Sequence, residues 1–306
     1  MMKRSLPACA FALSFAASAA IAAEPSTPLD ISELTQGRGV WIQQPGKTGP
    51  VELDKLVNAG VKRVHIMATS SAAPVSDCKK EGNSRATTAQ TKLVDLVRAS
   101  KAKGLIVIVT AYVKPTRSDI DALTAPGQGL LVPLIEAGAD AVEFDLEGPW
   151  SRAGVCGFDS HQAAANALFD ATKRLKPGIH VGVTTHLARA GDPKLSLQTA
   201  DWVALQAYEK CEVGNCVAFD DKQEGPGARV ARIPSALGSY KGPVIVGMAA
   251  FNQKWPAHTV AEAMQRSLDA YSRLGERPEY RGYSYWSATW ALKDEAVYSF
   301  LIATAK

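Results

Sequence analysis

The sequence predicts an α/β fold, a single-domain (β/α)8 TIM barrel without a large insertion. Eight short apolar runs rich in β-branched residues alternate with longer segments of helical spacing, which is typical of βαβ units in a parallel sheet. The alternation extends over about 270 residues, the size of eight such units. A doubly wound sheet usually has fewer strands and a glycine-rich first turn that this chain lacks, so the barrel is favoured.

Each predicted strand is an apolar run that follows the previous one at the spacing of a βα unit. In chain order the strands are Arg38–Gln43, Val61–Thr69, Leu105–Val113, Ala139–Glu147, His180–Leu187, Trp202–Tyr208, Val244–Phe251 and Tyr280–Ser287. The segments between them have helical spacing, and several end at a glycine that stops a helix. These helices are Val51–Ala59, Thr88–Lys103, Ile120–Ala137, Ser160–Leu175, Leu195–Thr199, Ala228–Tyr240, Val260–Leu274 and Lys293–Thr304.

Composition excludes several classes of protein. The 306 residues are 46% hydrophobic, 21% charged and 7% aromatic, which is typical of a globular domain and not of a disordered or collagen-like chain. The 34 Lys and Arg residues against 30 Asp and Glu leave a net charge of +4, scattered along the chain. Nucleic-acid binding needs a concentrated basic surface, so we expect no nucleic-acid partner.

The N-terminal residues have the pattern of a signal peptide, predicted over residues 1–23. Lys3 and Arg4 precede an apolar run, and the small residues Ala20–Ala23 provide a cleavage site. The apolar run has about 15 residues, whereas a spanning helix needs roughly 20, so cleavage is favoured over anchoring. We expect a secreted or periplasmic monomer with no membrane partner after cleavage. Residues 24–36 are then a tether and residues 37–306 the barrel domain.

Cysteine usage agrees with export to an oxidising compartment. Cys9 leaves with the signal peptide, and the remaining even number predicts disulfides, with three possible connectivities. Cys211 and Cys216 enclose a short Gly-Asn turn and are the favoured pair, which leaves Cys78 with Cys156. A zinc site of four cysteines is the alternative, but the chain has no CxxC spacing to favour it.

The fourth predicted strand has a row of acids on one face. Side chains alternate faces along a strand, so Glu143, Asp145 and Glu147 point to one side and the apolar residues between them to the other. In a barrel the apolar set packs beneath the helices, which leaves the acids in the lumen. Successive acids are roughly 6.5 Å apart and repel one another unless they are protonated, paired or used.

Three interpretations of this row remain open. The acids pair with lumen arginines, although Arg38 and Arg63 are predicted near the opposite strand ends. They hold a divalent cation, for which the other strands offer only Glu209. Acid–base chemistry is favoured, because a carboxyl group with an acidic neighbour keeps its proton near neutral pH and serves as a general acid. No metal or cofactor is therefore expected.

Three motifs on the predicted strands resemble glycoside hydrolase family 18, the chitinases and related endo-β-N-acetylglucosaminidases. Residues 140–147 are similar to the family's DGxDxDxE, with Ala141 for Gly and Glu143 for the middle Asp. Residues 201–209 resemble DxxxxMxYD, with Gln206 for Met and Glu209 for the last Asp. Residues 282–286 resemble GxMxW, with Ser284 for Met. Residues 110–112 stand where the family usually has an SxGG turn.

The resemblance implies roles for four residues. Glu147 is the acid that protonates the glycosidic oxygen, Asp145 orients the substrate's N-acetyl group, and Tyr208 hydrogen-bonds that group. Trp286 forms the floor beneath the sugar. The acetamido oxygen is then the nucleophile, so the substrate is a β-linked N-acetylhexosamine glycan cleaved with retention. Glu143 replaces the residue that in the family shares a proton with the Asp145 position.

Other residues are predicted to bind the glycan. Gln206 shares the lumen face with Tyr208, and Glu143 lies beneath Asp145. Trp41, Tyr112 and Trp150 occur at or beyond strand ends, where aromatic faces stack on sugar rings. Loop packing is the alternative for each tryptophan, and the histidines His65 and His186 are expected to be satisfied core residues.

The sequence thus predicts an exported glycoside hydrolase. The seventh strand and its helix are separated by too few residues for an inserted domain, so an open, shallow groove is expected. Two alternatives remain. One is a non-catalytic chitinase-like carbohydrate-binding protein, although such proteins usually lose the acid. The other is a lysozyme-like hydrolase that uses two protein carboxylates.

Overall fold

A computed structural model describes residues 29–70, 84–152, 155–187, 197–208, 226–251 and 259–305. The predicted signal peptide and the first residues of the predicted tether lie outside these ranges. Three of the predicted disulfide cysteines and one acid of the motifs also lie outside them, namely Cys78, Cys211, Cys216 and Glu209.

Eight parallel strands close into a barrel, which confirms the predicted single-domain (β/α)8 fold. They are β1 (Gly37–Ile42), β2 (Arg63–Ser70), β3 (Ile106–Tyr112), β4 (Ala141–Asp145), β5 (His180–His186), β6 (Trp202–Gln206), β7 (Val244–Ala249) and β8 (Tyr280–Trp286). Each strand pairs with its neighbours in order, and β1 pairs with both β2 and β8, which closes the sheet. A two-residue strand, Arg85–Ala86, pairs antiparallel with the end of β2.

One short helix precedes β1, and the other helices follow the strands on the outside of the barrel. Their bounds are Ile31–Thr35, Pro50–Asn58, Gln90–Ala102, Arg117–Thr124, Leu131–Glu136, Pro149–Arg152, His161–Leu175, Pro226–Ala231, Ile233–Leu237, Val260–Leu274, Ala288–Lys293 and Glu295–Ala303, with a 3-10 turn at Pro45–Lys47. Among the described residues, none of these helices has both the length and the apolar character needed to cross a membrane.

The predicted helix over 120–137 is two helices, separated at residues 125–130. Gly127 has a φ of +72°, a left-handed conformation that breaks a helix and favours glycine. At Gly129 a Cβ atom would lie 2.4 Å from the carbonyl oxygen of Leu123, so only glycine fits this turn. The predicted helix over 228–240 is likewise divided into two short helices.

The predicted tether contains a helix that contacts the barrel. Asp30 caps Ile31–Thr35 by accepting a hydrogen bond from the Ser32 backbone N–H at 2.7 Å. Leu34 is fully buried among the lumen side chains. Residues 31–35 therefore belong to the folded domain, because their apolar side fills the N-terminal end of the barrel.

Apolar side chains pack on both faces of the barrel sheet, outside it and in its lumen. The outer layer lies between strands and helices, and a smaller cluster fills the lower lumen with residues such as Trp41, Ile108 and Trp202. Gly182 makes this filling feasible, because a Cβ atom there would lie 2.0 Å from the Trp202 ring. The described side chains fill the lumen near the N-terminal ends of the strands, which leaves the C-terminal ends as the entry for ligands.

Candidate active site

The deepest acid of β4 is surrounded by hydrogen-bond donors. Glu143 is fully buried, and its Oε1 accepts from Trp41 Nε1 and Thr110 Oγ1, both at 3.0 Å. The same oxygen accepts from His65 Nδ1 at 3.1 Å. Its Oε2 accepts from Trp202 Nε1 at 3.4 Å. The donors come from β1, β2, β3 and β6, so this carboxylate connects β4 with four other strands.

His65 links Glu143 to a buried arginine. Arg63 Nε donates to His65 Nε2 at 3.1 Å, and this leaves the proton of the neutral ring on Nδ1, facing Glu143. Burial lowers the pKa of His65, and the charge of Arg63 adds to this effect against the opposing carboxylate. Burial alone would raise the pKa of Glu143, but His65 and the hydrogen bonds from Trp41 and Thr110 outweigh it and lower the pKa. Burial lowers the pKa of Arg63 to about 10, so Arg63 stays charged at neutral pH and balances Glu143.

Asp145 lies one layer above Glu143, at the C-terminal end of β4. Its side chain is almost buried, and Gln206 Nε2 donates to its Oδ1 at 3.2 Å. The same amide nitrogen donates to Thr184 Oγ1 at 3.2 Å. Because Gln206 and Thr184 are on β6 and β5, these contacts fix the orientation of the Asp145 carboxylate across three strands.

Glu147 follows β4 and contacts a histidine from the next strand. Its Oε1 lies 3.1 Å from His186 Nε2. The side chain of Glu147 is 16% exposed and that of His186 is 26% exposed, so solvent reaches both. The sequence predicted Glu147 as an acid at the strand end and His186 as a satisfied core residue. The structure places His186 beside the acid instead.

A pocket opens above these acids at the C-terminal end of the barrel, with a volume of about 170 Å³. Asp145, Glu147, Gln206, Tyr208 and Trp286 line it together. The rings of Tyr208 and Trp286 stack with centroids 6.0 Å apart and an angle of 19°. With Tyr112, six of the predicted site residues therefore meet in one cavity.

Two tyrosines face the acids of this pocket. Tyr112 is a sixth predicted residue in the lining. Burial raises the pKa of Tyr112, and the carboxylates of Glu147 and Asp145 raise it further. Burial and the same two carboxylates also hold the pKa of Tyr208 well above its ordinary value. Both phenols therefore keep their protons and can donate a hydrogen bond to a ligand at neutral pH.

Three predicted glycan-binding residues lie away from the pocket. Trp41 is 1% exposed and donates to Glu143, and Glu143 itself is enclosed beneath Asp145. Trp150 is fully buried, and its Nε1 donates to the Val113 carbonyl at 2.7 Å. These residues have no free face for a sugar, because their rings and polar atoms are used within the protein.

The pocket also contains residues that the sequence analysis missed. Gln43, Met67, Ser70, Thr87 and Phe251 complete its lining. Met67 shares the lumen face of β2 with His65, and Gln43 and Phe251 follow the ends of β1 and β7. The alternation of side chains along β2 could have indicated Met67, and the positions at strand ends could have indicated Gln43 and Phe251. Thr87 follows a short strand that the sequence does not predict.

The loops after β3 and β4 are joined beside the pocket. Thr116 and Cys156 form a parallel β-bridge, and the Cys156 N–H donates to the Pro115 carbonyl at 3.1 Å. Arg117 lies over the Phe158 ring, with its guanidinium carbon 4.4 Å from the centroid. Cys156 is disulfide-bonded, and its partner lies outside the described residues.

Within the described ranges, His, Cys, Asp and Glu side chains form no group of three or more that is arranged to hold a metal ion. Glu143 is already satisfied by donors, and Glu147 contacts a histidine. The three acids of the row each contact protein groups, Glu143 and Asp145 through hydrogen bonds and Glu147 through His186.

Comparisons with known proteins identify the fold. No family model and no curated protein matches the chain. Among solved structures, ICChI chitinase from Ipomoea carnea has a TM-score of 0.53 at 14% identity, covering 87% of this chain and 99% of that chain. β-Mannanase from Mytilus edulis has a TM-score of 0.53 at 15% identity, with coverages of 89% and 92%. A family GH18 chitinase from Chromobacterium violaceum has a TM-score of 0.53 at 14% identity, with coverages of 87% and 83%. At these identities the likeness shows that the chain has a TIM-barrel fold found among glycoside hydrolases.

Proposed function

We propose that this chain is an exported glycoside hydrolase that cleaves β-linked N-acetylhexosamine glycans with retention of configuration. The observation that carries the proposal is the meeting of Glu147, Asp145, Tyr208 and Trp286 in one pocket at the C-terminal end of the barrel. Active sites of TIM-barrel enzymes lie at this end. The fold shared with chitinases supports the same reaction class.

In the proposed mechanism the protein supplies one acid. Glu147 donates its proton to the glycosidic oxygen as the bond from that oxygen to the sugar breaks. The acetamido oxygen of the substrate forms the new bond to the sugar carbon, and water later opens this intermediate. Asp145, held by Gln206, and the protonated Tyr208 orient the acetamido group. Trp286 and Tyr208 provide apolar faces for the ring.

The size of the pocket limits what it encloses. Its volume of about 170 Å³ is below the roughly 300–1,000 Å³ of sites that enclose a drug-sized ligand. The described walls therefore hold one sugar unit, and the rest of the glycan extends outward. This geometry favours cleavage within a chain or of an accessible glycan over processive threading.

Substitution of Glu147 tests the proposal. Wild-type and Glu147→Gln proteins would be assayed on soluble chito-oligosaccharides, peptidoglycan and N-glycans. We expect Glu147→Gln to lower kcat by about 10²–10⁴-fold on whichever substrate the wild type cleaves, because a general acid contributes that much. Glu136→Gln, an exposed carboxylate at the end of a helix, is the matched control and leaves kcat unchanged. Equal turnover by wild type and Glu147→Gln would remove Glu147 from the reaction.

The addition of β-mannan to this panel separates the alternatives. β-Mannan has no acetamido group, so its hydrolysis, or a trapped covalent glycosyl-enzyme, would favour a hydrolase with two protein carboxylates. Mannan belongs in the panel because a β-mannanase shares the fold. Tight binding of oligosaccharides without turnover over long incubation would favour the carbohydrate-binding protein.

Export and disulfide pairing are part of the proposal. We expect a secreted or periplasmic monomer whose N-terminus begins near residue 24, which N-terminal sequencing and light scattering of the purified protein would measure. Peptide mapping without reduction should find Cys156 joined to Cys78, and Cys211 joined to Cys216. An intact residue 1–23 segment in the exported protein would contradict the signal-peptide assignment.

A further inference from the structure

Trp290 is a large apolar side chain that the structure leaves in contact with water. It lies on helix Ala288–Lys293, which follows β8, and it is 54% exposed. Ala288 and Ala291 of the same helix are buried, so the helix packs small residues against the barrel and presents its largest one outward. Tryptophan is highly buried on average, and exposed apolar surface marks places where a ligand or a partner binds.

This tryptophan lies at the end of the barrel where the pocket opens. Trp286, which ends β8, lines the pocket, and the Trp290 N–H donates to the carbonyl of the next residue, Ser287, at 3.1 Å. One turn of the chain therefore separates Trp290 from the pocket wall. The backbone of this turn is held in place, because the Trp290 carbonyl also accepts from the Asp294 N–H at 3.2 Å.

The loop after β1 brings a second exposed apolar residue to the same end of the barrel. β1 pairs with β8, so the loops after these two strands are adjacent. The chain after β1 passes Gln43, which lines the pocket, and reaches Val51 in the first turn of helix Pro50–Asn58. Val51 is exposed, and its helix contacts the helix of Trp290. We call Trp290 and Val51 the outer platform.

A glycan chain matches the chemistry of the outer platform. The pocket has a volume of about 170 Å³ and holds one sugar unit, so the further units of a bound glycan lie outside it. A β-linked sugar ring has C–H groups on its faces and hydroxyl groups around its edge. It can therefore pack one face on a flat indole and leave its hydroxyl groups in water.

We propose that the outer platform is a second glycan-binding site, which holds sugar units that extend from the pocket over the loops after β1 and β8. This inference rests on the proposed function, because the ligand is the same glycan that the pocket binds. A long glycan should accordingly bind more tightly than a single sugar, since only the long glycan reaches Trp290.

Binding to a variant without the catalytic acid tests the proposal. Calorimetry would compare Glu147→Gln with Glu147→Gln/Trp290→Ala, using N-acetylglucosamine and its β-1,4-linked hexamer as ligands. We expect Kd for the hexamer to rise about three- to tenfold when Trp290 is removed, the effect of losing one aromatic contact. Kd for N-acetylglucosamine, which occupies the pocket alone, should be unchanged. An unchanged Kd for the hexamer, or an equal loss for both ligands, would overturn the second site.

The matched control is Ile302→Ala in the same Glu147→Gln background. Ile302 is also a large exposed apolar residue, on helix Glu295–Ala303. It lies at the opposite end of the barrel, because the carbonyl of its neighbour Leu301 accepts from Arg38 at the start of β1. Ile302→Ala should leave both Kd values unchanged. A rise as large as that in the Trp290 variant would assign the effect to any lost apolar surface and overturn the proposal.

A second measurement tests whether the glycan contacts Trp290. The indole N–H resonance of Trp290, assigned by its loss in Trp290→Phe, would be followed by NMR in Glu147→Gln. We expect this resonance to shift as the hexamer is added and to stay in place with N-acetylglucosamine. An unchanged resonance when the hexamer saturates the protein would overturn the second site.

Light scattering tests the other occupant of an exposed apolar surface, a second copy of the chain. Wild type and Trp290→Ala should have the same mass. A wild-type dimer that Trp290→Ala converts to monomers would make the outer platform an interface between copies and overturn the proposal. The proposed function is judged separately, by turnover. A wild type that cleaves none of the glycans refutes the function, whereas cleavage with an unchanged Kd for the hexamer refutes the outer platform alone.

Discussion

At the scale of single residues, Glu143 has a structural role that its place in the acidic row does not reveal. It accepts hydrogen bonds from two tryptophans, a threonine and a histidine, and Arg63 balances its charge from behind His65. A buried carboxylate of this kind is tolerable because every acceptor site is satisfied and a cation lies nearby. The lower lumen is therefore held by polar contacts as well as by apolar packing.

Glu143→Gln should destabilise the fold. The new amide NH2 faces donors in place of an acceptor, so at least one buried N–H loses its partner. Such a loss costs about 1–3 kcal/mol. Urea unfolding at neutral pH would measure the change in the free energy of unfolding. Glu136→Gln serves as the surface control, with a change within about 0.5 kcal/mol. Equal stability of wild type and Glu143→Gln would contradict the structural role.

His65 and His180 should affect the pH dependence of stability in opposite directions. Burial lowers the pKa of His65, so the unfolded chain binds its proton more readily, and stability falls as the pH drops below about 6.5. Hydrogen bonding to Asp201 raises the pKa of His180, so its contribution is present below about 6.5 and is lost as the pH rises above it.

Thermal unfolding between pH 4.5 and 8 would measure both effects. His65→Gln should flatten the loss of stability on the acidic side. His180→Gln should flatten the loss on the alkaline side. If His65→Gln leaves the acidic slope of the melting temperature unchanged, then His65 is not the buried neutral group described above.

The alternation of side chains along a strand predicts which face a side chain points to, but not how deep in the barrel lumen it lies. The alternation of side chains along a strand correctly placed Glu143 and Asp145 on the lumen face of β4, and Glu147, just beyond the strand, lines the pocket with Asp145. It could not show that the lowest acid is enclosed, because the donors come from strands up to about 100 residues away. The depth of Trp41 was not predictable either, because it depends on the register between β1 and its neighbouring strands. Trp41 was therefore expected at the C-terminal ends of the strands, although it is buried in the lumen.

At the scale of elements, the strands were the most predictable part of the molecule. All eight lie within a few residues of the predicted bounds, because buried parallel strands are nearly continuous apolar runs. The helices were less predictable. Gly127 and Gly129 divide one predicted helix, and the capped helix Ile31–Thr35 occurs where a tether was expected. The break at the two glycines is local, because Gly127 has a positive φ and Gly129 packs against Leu123 and Ala125. The helix Ile31–Thr35 depends instead on a tertiary contact, the burial of Leu34 in the lumen.

Arg38 connects the first and last βα units. Its side chain is 5% exposed and lies on the outer face of β1, opposite in parity to Trp41. Its Nη1 donates to the carbonyls of Ala59 and Leu301, both at 2.6 Å, and its Nη2 donates to Thr304 Oγ1 at 2.9 Å. The guanidinium therefore holds the end of helix Glu295–Ala303 against the barrel.

Arg38→Lys should loosen this last helix. Lysine keeps the charge but cannot reproduce the planar fork of donors, so we expect a loss of about 1–3 kcal/mol. Hydrogen exchange should become faster in residues 295–303 than in helix Val260–Leu274, which serves as the internal reference. Arg98→Lys, at an exposed position on helix Gln90–Ala102, is the matched control. Uniform acceleration across both helices would contradict a local role.

At the scale of the whole molecule, the barrel and its rim are held by different interactions. The barrel is formed by eight closed strands, the apolar layers and the contacts of Glu143. Among the described residues Cys156 is the one cysteine, and it is not part of the apolar core. That cysteine lies in the loop after β4, where backbone hydrogen bonds join it to the loop after β3. Its disulfide therefore constrains the rim of the pocket rather than the core.

Reduction should accordingly affect binding before it unfolds the protein. A native disulfide contributes about 2–4 kcal/mol, whereas a domain is stable by about 5–15 kcal/mol, so the barrel that lacks the Cys156 disulfide stays folded. The rim loses its covalent constraint, and KM for the oligosaccharide that the wild type cleaves should rise. Cys156→Ser would produce the same rise without reductant. Far-ultraviolet circular dichroism at 25 °C would follow folding in parallel with the assays. If KM changes only at reductant concentrations that also abolish the circular dichroism signal, the disulfide supports the whole barrel, and the division between rim and core is wrong.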